Sequence, residues 1–145
     1  MLNYTVLNNR FYSSDMTKGL PDIKHEKKNM VFMLVDQVDD DSFVHETCEK
    51  IIKKHLTSIC FHGRRSHIWQ LCCETLNRSR YPFQDKRRFQ AYEVYEDYEA
   101  FVTELQNCLE IRDVAPYEIF ILYDVVAEYN MLINDPRIKP MLGKF

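Results

Sequence analysis

Residues 30–36, Met-Val-Phe-Met-Leu-Val-Asp, and residues 118–124, Glu-Ile-Phe-Ile-Leu-Tyr-Asp, decide how this chain folds. Each is a short apolar run that ends on an aspartate. A strand with solvent on one side alternates apolar and polar side chains, whereas a strand covered on both faces has no polar side to show. Met30 to Val35 therefore reads as a core strand with helices above and below it, and Glu118 to Tyr123 reads as a second strand of the same kind.

Between and around these runs the periodicity changes from continuous to helical. Asp39 to Ser42 supply capping oxygens and a negative helix start, and Val44, Cys48, Ile51, Ile52 and His55 then recur at helical spacing. This predicts an amphipathic helix ending near Leu56. Ser58 to His62 is another short apolar run, broken by Gly63 ahead of Ser66, the expected cap of a helix that buries Trp69, Cys72, Cys73 and Leu76. Beyond a basic turn around Pro82, Phe89 to Tyr95 alternates imperfectly and is more polar, as suits an edge strand. Asp97 is placed to cap a helix with the stripe Phe101, Leu105, Cys108 and Leu109. After Glu118 to Tyr123, a last helix through Val126, Tyr129 and Ile133 is expected to stop near Asp135-Pro136.

Four strand-then-helix units predict an α/β fold. The expectation is a three-layer, open, mostly parallel four-stranded sheet with Rossmann-like βα repeats and right-handed crossovers. The polar third strand favours an order such as 3-2-1-4, which leaves it at an edge. Residues 1–29 are polar and irregular, with a short strand at Tyr4 to Leu7 and turn chemistry at Gly19, Leu20, Pro21 and Asp22. They are expected to form an irregular arm packed on a single domain of residues 30–145.

Composition agrees with one packed domain. At 145 residues, a chain buries roughly 70% of the surface it exposes when unfolded. An apolar share of 46%, with three glycines and five prolines, excludes a disordered or fibrous class. No basic-then-apolar leader opens the chain and no run approaches a bilayer span, so no membrane partner is expected. Cys48, Cys60, Cys72, Cys73 and Cys108 lie within apolar patterns, as thiols used for small core volume do, which points to a reducing, cytoplasmic location.

The formal charge of -3 is unevenly spread. From Arg64 to Arg88 seven basic residues stand against two acidic ones, while Asp36 to Glu49 and Glu93 to Glu99 are acidic. In an open parallel sheet, ligands bind outside the carboxyl ends of the strands, and this rule selects the candidate chemistry. His62, Gly63, Arg64, Arg65, Ser66 and His67 combine a glycine turn, two guanidinium groups and a helix start, which suits an anion. Turn and cap requirements alone also account for Gly63 and Ser66.

Asp36 and Asp124 both end apolar strands and form a candidate carboxylate pair of the type that holds Mg²⁺, although strand-end aspartates are also ordinary caps. Cys60, His62, His67, Cys72 and Cys73 lack CxxC or HxxxH spacing, and no metal site is assigned. No GxGxxG or GxxxxGK[ST] is present, and no cofactor or catalytic residue is assigned.

Tyr92, Glu93, Tyr95, Glu96, Asp97 and Tyr98 interleave aromatic contact area with carboxylates. Such a surface suits a basic protein partner, so the leading expectation is a non-catalytic protein-binding module, for example an immunity or antitoxin-like inhibitor of a nuclease toxin. The alternative is an enzyme or sensor binding a phosphate-bearing small molecule at the strand ends. A further alternative is nucleic-acid binding through the basic segment 64–88.

Overall fold

The computed structural model describes residues 5–8, 11–20, 28–53, 56–80, 91–111 and 117–142. The run that opens at Met30 lies within a strand, β3 (Lys28–Leu34), at the middle of a six-stranded sheet. Its side chains alternate between two cores. Met30, Phe32 and Leu34 point into one, and Val31, Met33 and Val35, just past the strand, into the other. All six are buried, which is why the sequence shows no polar face.

The other strands are β1 (Thr5–Asn8), β2 (Phe11–Asp15), β4 (Leu56–His62), β5 (Ala91–Val94) and β6 (Tyr117–Tyr123). They stand in the order β1-β2-β6-β3-β4-β5. Strands β2, β6, β3, β4 and β5 are mutually parallel, and β1 pairs antiparallel to β2. The four anticipated strands thus appear as β5-β4-β3-β6, the order 3-2-1-4, with the polar strand at an edge.

Helices α1 (Asp41–Ile52) and α2 (Ser66–Arg80) bury Val44, Cys48, Ile51, Ile52, Trp69 and Cys73 against one face. Helices α3 (Tyr98–Ile111), α4 (Val126–Ile133) and α5 (Lys139–Leu142) bury Phe101, Leu105, Leu109, Leu132 and Met141 against the other. The chain steps outward from β3 to β5 with both connecting helices on one face, then returns from β5 to β6 with α3 on the other. This is the consequence of keeping each crossover to one hand, and it makes three layers.

The N-terminal segment departs from the irregular arm. Its described part contributes two strands, and β2 runs parallel along β6 from Phe11 opposite Ile119 to Asp15 opposite Tyr123. Phe-Tyr-Ser-Ser-Asp reads as polar because two serines stand where aliphatic residues are usual. Ser13 and Ser14 are nevertheless buried, Ser13 sharing a 2.6 Å hydrogen bond with the Tyr129 hydroxyl and Ser14 donating to the Gly19 carbonyl at 3.2 Å. Hydrogen bonds, one to a distant helix and one within the segment, make a polar strand buriable.

The remaining differences are at element ends. Helix α1 begins after Asp40, whose carboxylate accepts from the Ser42 and Phe43 N–H groups, and is described to Ile52; Leu56 already belongs to β4. Asp97 caps α3 as expected, through the Glu99 N–H at 3.1 Å. The turn residues Pro21 and Asp22, the start of the anticipated third strand at Phe89, and His55 lie outside the described residues. Among the described residues no helix is long and apolar enough to cross a membrane.

Candidate functional site

The sheet reverses its direction of growth between β3 and β6, so the crevice expected to bind ligand lies outside Leu34 and Tyr123. The protein fills that crevice itself. Asp124, following β6, accepts hydrogen bonds from the backbone N–H groups of Asp36 (3.1 Å), Gln37 (2.8 Å) and Val38 (3.0 Å). Three successive amides turned toward one point make an anion cradle. Here a carboxylate from a neighbouring strand occupies it, which fixes the loop after β3 against β6.

Asp36 and Asp124 are therefore brought together, but Asp124 engages the backbone of the Asp36 loop. The Asp36 carboxylate turns the other way and accepts the Arg64 N–H at 3.0 Å. That bond to the Arg64 amide, reinforced by its guanidinium, holds the Asp36 carboxyl below the usual range against the opposing effect of burial. Glu128, in the first turn of α4, hydrogen-bonds Asp36. Burial first, and then the Asp36 carboxylate, push the Glu128 carboxyl up to about 7. Glu128 escaped the sequence reading because α4 packs it beside a loop about ninety positions away in the chain; no local pattern marks it.

An open cleft lies one strand further along, outside β3, β4 and β5. Its volume is 390 Å³ and its lining is Asp36, His62, Gly63, Arg64, Ser66, His67 and Glu96. Gly63 shapes it. At φ 125° this residue turns the chain from β4 into α2, and a Cβ there would lie 2.3 Å from the Val35 carbonyl oxygen. No L side chain fits, and the turn is pinned to the end of β3 by the Arg65 N–H donating to that same carbonyl at 3.0 Å. The start of α2, with Ser66 buried, is thereby held at the wall of the cleft.

His62 is held in one orientation. Its Nδ1 lies 2.7 Å from the Tyr95 carbonyl oxygen, an acceptor, so Nδ1 carries the proton. The ring stacks on Phe101 at 5.4 Å and tilts against Tyr98 at 5.8 Å. In the neutral ring Nε2 is then the lone-pair nitrogen, and it has no protein partner among the described residues. The Tyr95 carbonyl that sets this tautomer is backbone on another strand and leaves no trace in residue identities.

The rim is charged in pairs. Arg64 bridges Asp36 through Nε at 3.5 Å and donates from Nη2 to the Asp36 carbonyl at 3.1 Å, yet its side chain stays 74% exposed and its Nη1 carries no protein partner among the described residues. Arg65 pairs with Asp39 at 3.1 Å, on the side of the same loop. His67 Nε2 meets Glu96 at 2.9 Å across the mouth, both side chains well exposed. Five of the six residues nominated for anion binding line the cleft; Arg65 does not.

The aromatic and acidic cluster divides. Tyr92 packs into the core beneath α1 and α2, whereas Tyr95 and Tyr98 pack against the opposite core. The Tyr95 hydroxyl donates to Glu93 at 2.7 Å, and the Tyr98 hydroxyl faces Asp135 at 3.4 Å, a carboxylate clamped by Arg137. Burial holds both phenols protonated, Tyr98 pushed up to about 12. Glu93, Glu96 and Asp97 remain exposed at the end of the edge strand. In the basic segment, Arg64 and Arg65 are paired as described, Arg78 is exposed, and residues 81–90 with Lys86, Arg87 and Arg88 lie outside the described residues. No group of three or more His, Cys, Asp or Glu among the described residues is placed to hold a metal ion. In comparisons with known proteins, no family model and no curated protein matches this chain.

Proposed function

We propose that the cleft outside β3, β4 and β5 binds a small phosphate-bearing molecule. The observation that carries this reading is the convergence on one cavity of the start of α2, the outward Arg64 guanidinium and the oriented Nε2 of His62, which has no protein partner among the described residues. The phosphate sits against the first turn of α2 and Arg64, where the helix dipole and a charge-assisted hydrogen bond both favour it. His62 Nε2 accepts a hydroxyl or amine proton from the remainder of the ligand. Asp36 and Glu96 select against a second anionic group, because each is a carboxylate on the same wall. The domain then acts as a sensor or as an enzyme in which His62 is the base.

Titration with inorganic phosphate and with a phenyl phosphate monoester, followed by amide and imidazole NMR shifts, tests this. Saturable shifts at His62, Arg64, Ser66 and His67, weakened by at least about tenfold in Arg64→Ala, are expected from the loss of one charged hydrogen bond of roughly 1.5–3 kcal/mol. Absence of saturable shifts at these residues up to millimolar probe removes the reading.

A protein-binding role is favoured by one separate observation, the exposure of Glu93, Glu96 and Asp97 beside an edge strand. With the tyrosines packed inward, a basic partner would be held by charge more than by aromatic anchors. Reversal of all three acids to lysine is expected to abolish retention on a cationic partner surface if this patch is used, and unchanged retention sets it aside.

A further inference from the structure

Three thiols lie together between α1 and α2, remote from any role in the cleft. Cys48 of α1 and Cys73 of α2 are fully buried, and their Sγ atoms are 3.2 Å apart. That is closer than the roughly 3.5–4.0 Å of ordinary carbon packing contacts and about 1.2 Å from a disulfide bond length. Cys72, its neighbour in sequence, is only half-buried and reaches Cys48 with its own thiol. Cys72 and Cys73 leave one helix about 100° apart. Each can therefore meet Cys48 more readily than the other.

We propose that Cys48 and Cys73 form a reversible disulfide that staples α1 to α2 when a small disulfide oxidant reaches the chain, with Cys72 as the entry thiol. The Cys72 thiolate attacks one sulfur of the oxidant and releases the first small thiol, leaving a mixed disulfide on Cys72. Cys48 attacks the Cys72 sulfur, the second small thiol departs, and a bond from Cys48 to Cys72 forms. Cys73 then attacks Cys48 and returns Cys72 to the thiol form. Two protein thiols are oxidised, one oxidant disulfide is reduced to two thiols, and the two protons leave on those thiols. The final pairing is favoured because Cys48 and Cys73 face each other in the core.

Burial sets the pace. It pushes the Cys72 thiol up to about 12, and the Cys73 contact together with burial raises the Cys48 thiol further still, so both thiolates are scarce near neutrality and the rate rises with pH. The only tryptophan, Trp69, reports the event, since Cys48 lies 3.9 Å from its carbonyl and the indole is wholly buried in the same core.

The test uses the full wild-type chain with oxidised glutathione, followed by alkylation of remaining thiols, intact mass and peptide mapping. The expected product has lost two hydrogens, carries a 48–73 crosslink, shows quenched tryptophan emission, has a raised urea midpoint and reverts with dithiothreitol. Cys72→Ser should slow its formation several-fold without changing the crosslink. A stable glutathione adduct on Cys72 alone, a crosslink to another cysteine, or reaction only in denaturant would overturn the proposal. Each of these is read on the wild-type chain, so none depends on a variant folding.

Discussion

Gly63→Ala perturbs the fold and the cleft at one atom. The residue sits at φ 125°, where an L side chain costs about 1–3 kcal/mol in backbone strain. The added Cβ would also meet the Val35 carbonyl oxygen at 2.3 Å and carbonyl carbon at 2.8 Å, both backbone atoms that no rotamer change can move. Relief requires parting β4 from the end of β3. Two hydrogen bonds span that junction, Val35 N–H to the His62 carbonyl at 2.9 Å and Arg65 N–H to the Val35 carbonyl at 3.0 Å. At about 1 kcal/mol each, their loss brings the total to about 3–5 kcal/mol, a large part of the 5–15 kcal/mol typical of a domain. Urea unfolding should show a midpoint lowered by at least about 1 M, given slopes near 1–3 kcal/mol/M. Phosphate-induced shifts at Ser66 and His67 should weaken in parallel. A loss below about 1 kcal/mol would mean that the turn relaxes at little cost, and the account of why glycine stands here would be wrong.

Asp124→Ala leaves three loop amides without their acceptor and should cost about 2–4 kcal/mol, as such charge-assisted bonds do not add fully; hydrogen exchange at Gln37 and Val38 should accelerate, and unchanged protection there would refute the cradle. Glu128 carries a folded-state pKa of about 7 against an ordinary 4.5, so it stabilises the folded state most below the lower value and loses that contribution as pH rises through the higher one. Because Glu128 is substantially solvated, Glu128→Gln should gain only about 1 kcal/mol over wild type at pH 8 and little at pH 4, measured by paired urea curves; a pH-independent difference would count against the shared proton. For the neutral His62 ring, nitrogen NMR should report a protonated Nδ1 and an unprotonated Nε2, and the reverse tautomer would contradict the Tyr95 contact.

Much of the fold was legible because burial on both faces leaves its mark on every residue of a strand. Met30 to Val35 could not be hidden by local chemistry, and the polar character of the strand ending at Val94 announced an edge. The glycine turn from strand into helix at His62 to His67 was legible, because a glycine at a strand end just before a capping serine marks a sharp change of direction. Strand β2 was not legible: Ser13 and Ser14 are buried through partners at Tyr129 and Gly19, and a reading of residue types sees two polar residues where the fold has satisfied ones.

Residue identity and spacing alone thus determined the α/β class, the edge position of the polar strand, capping residues within Asp39 to Ser42 and at Asp97, and a glycine turn at 63. These follow from interactions within a few residues or from the requirement that apolar faces be covered. Only the tertiary structure decided which groups share the strand ends. It filled the crevice between β3 and β6 with Asp124, moved the open cleft to β3, β4 and β5, and fixed the His62 ring by engaging Nδ1 with a backbone carbonyl. Those outcomes depend on distances between elements far apart in the chain and on main-chain atoms common to all residues, and neither is written in side-chain identity.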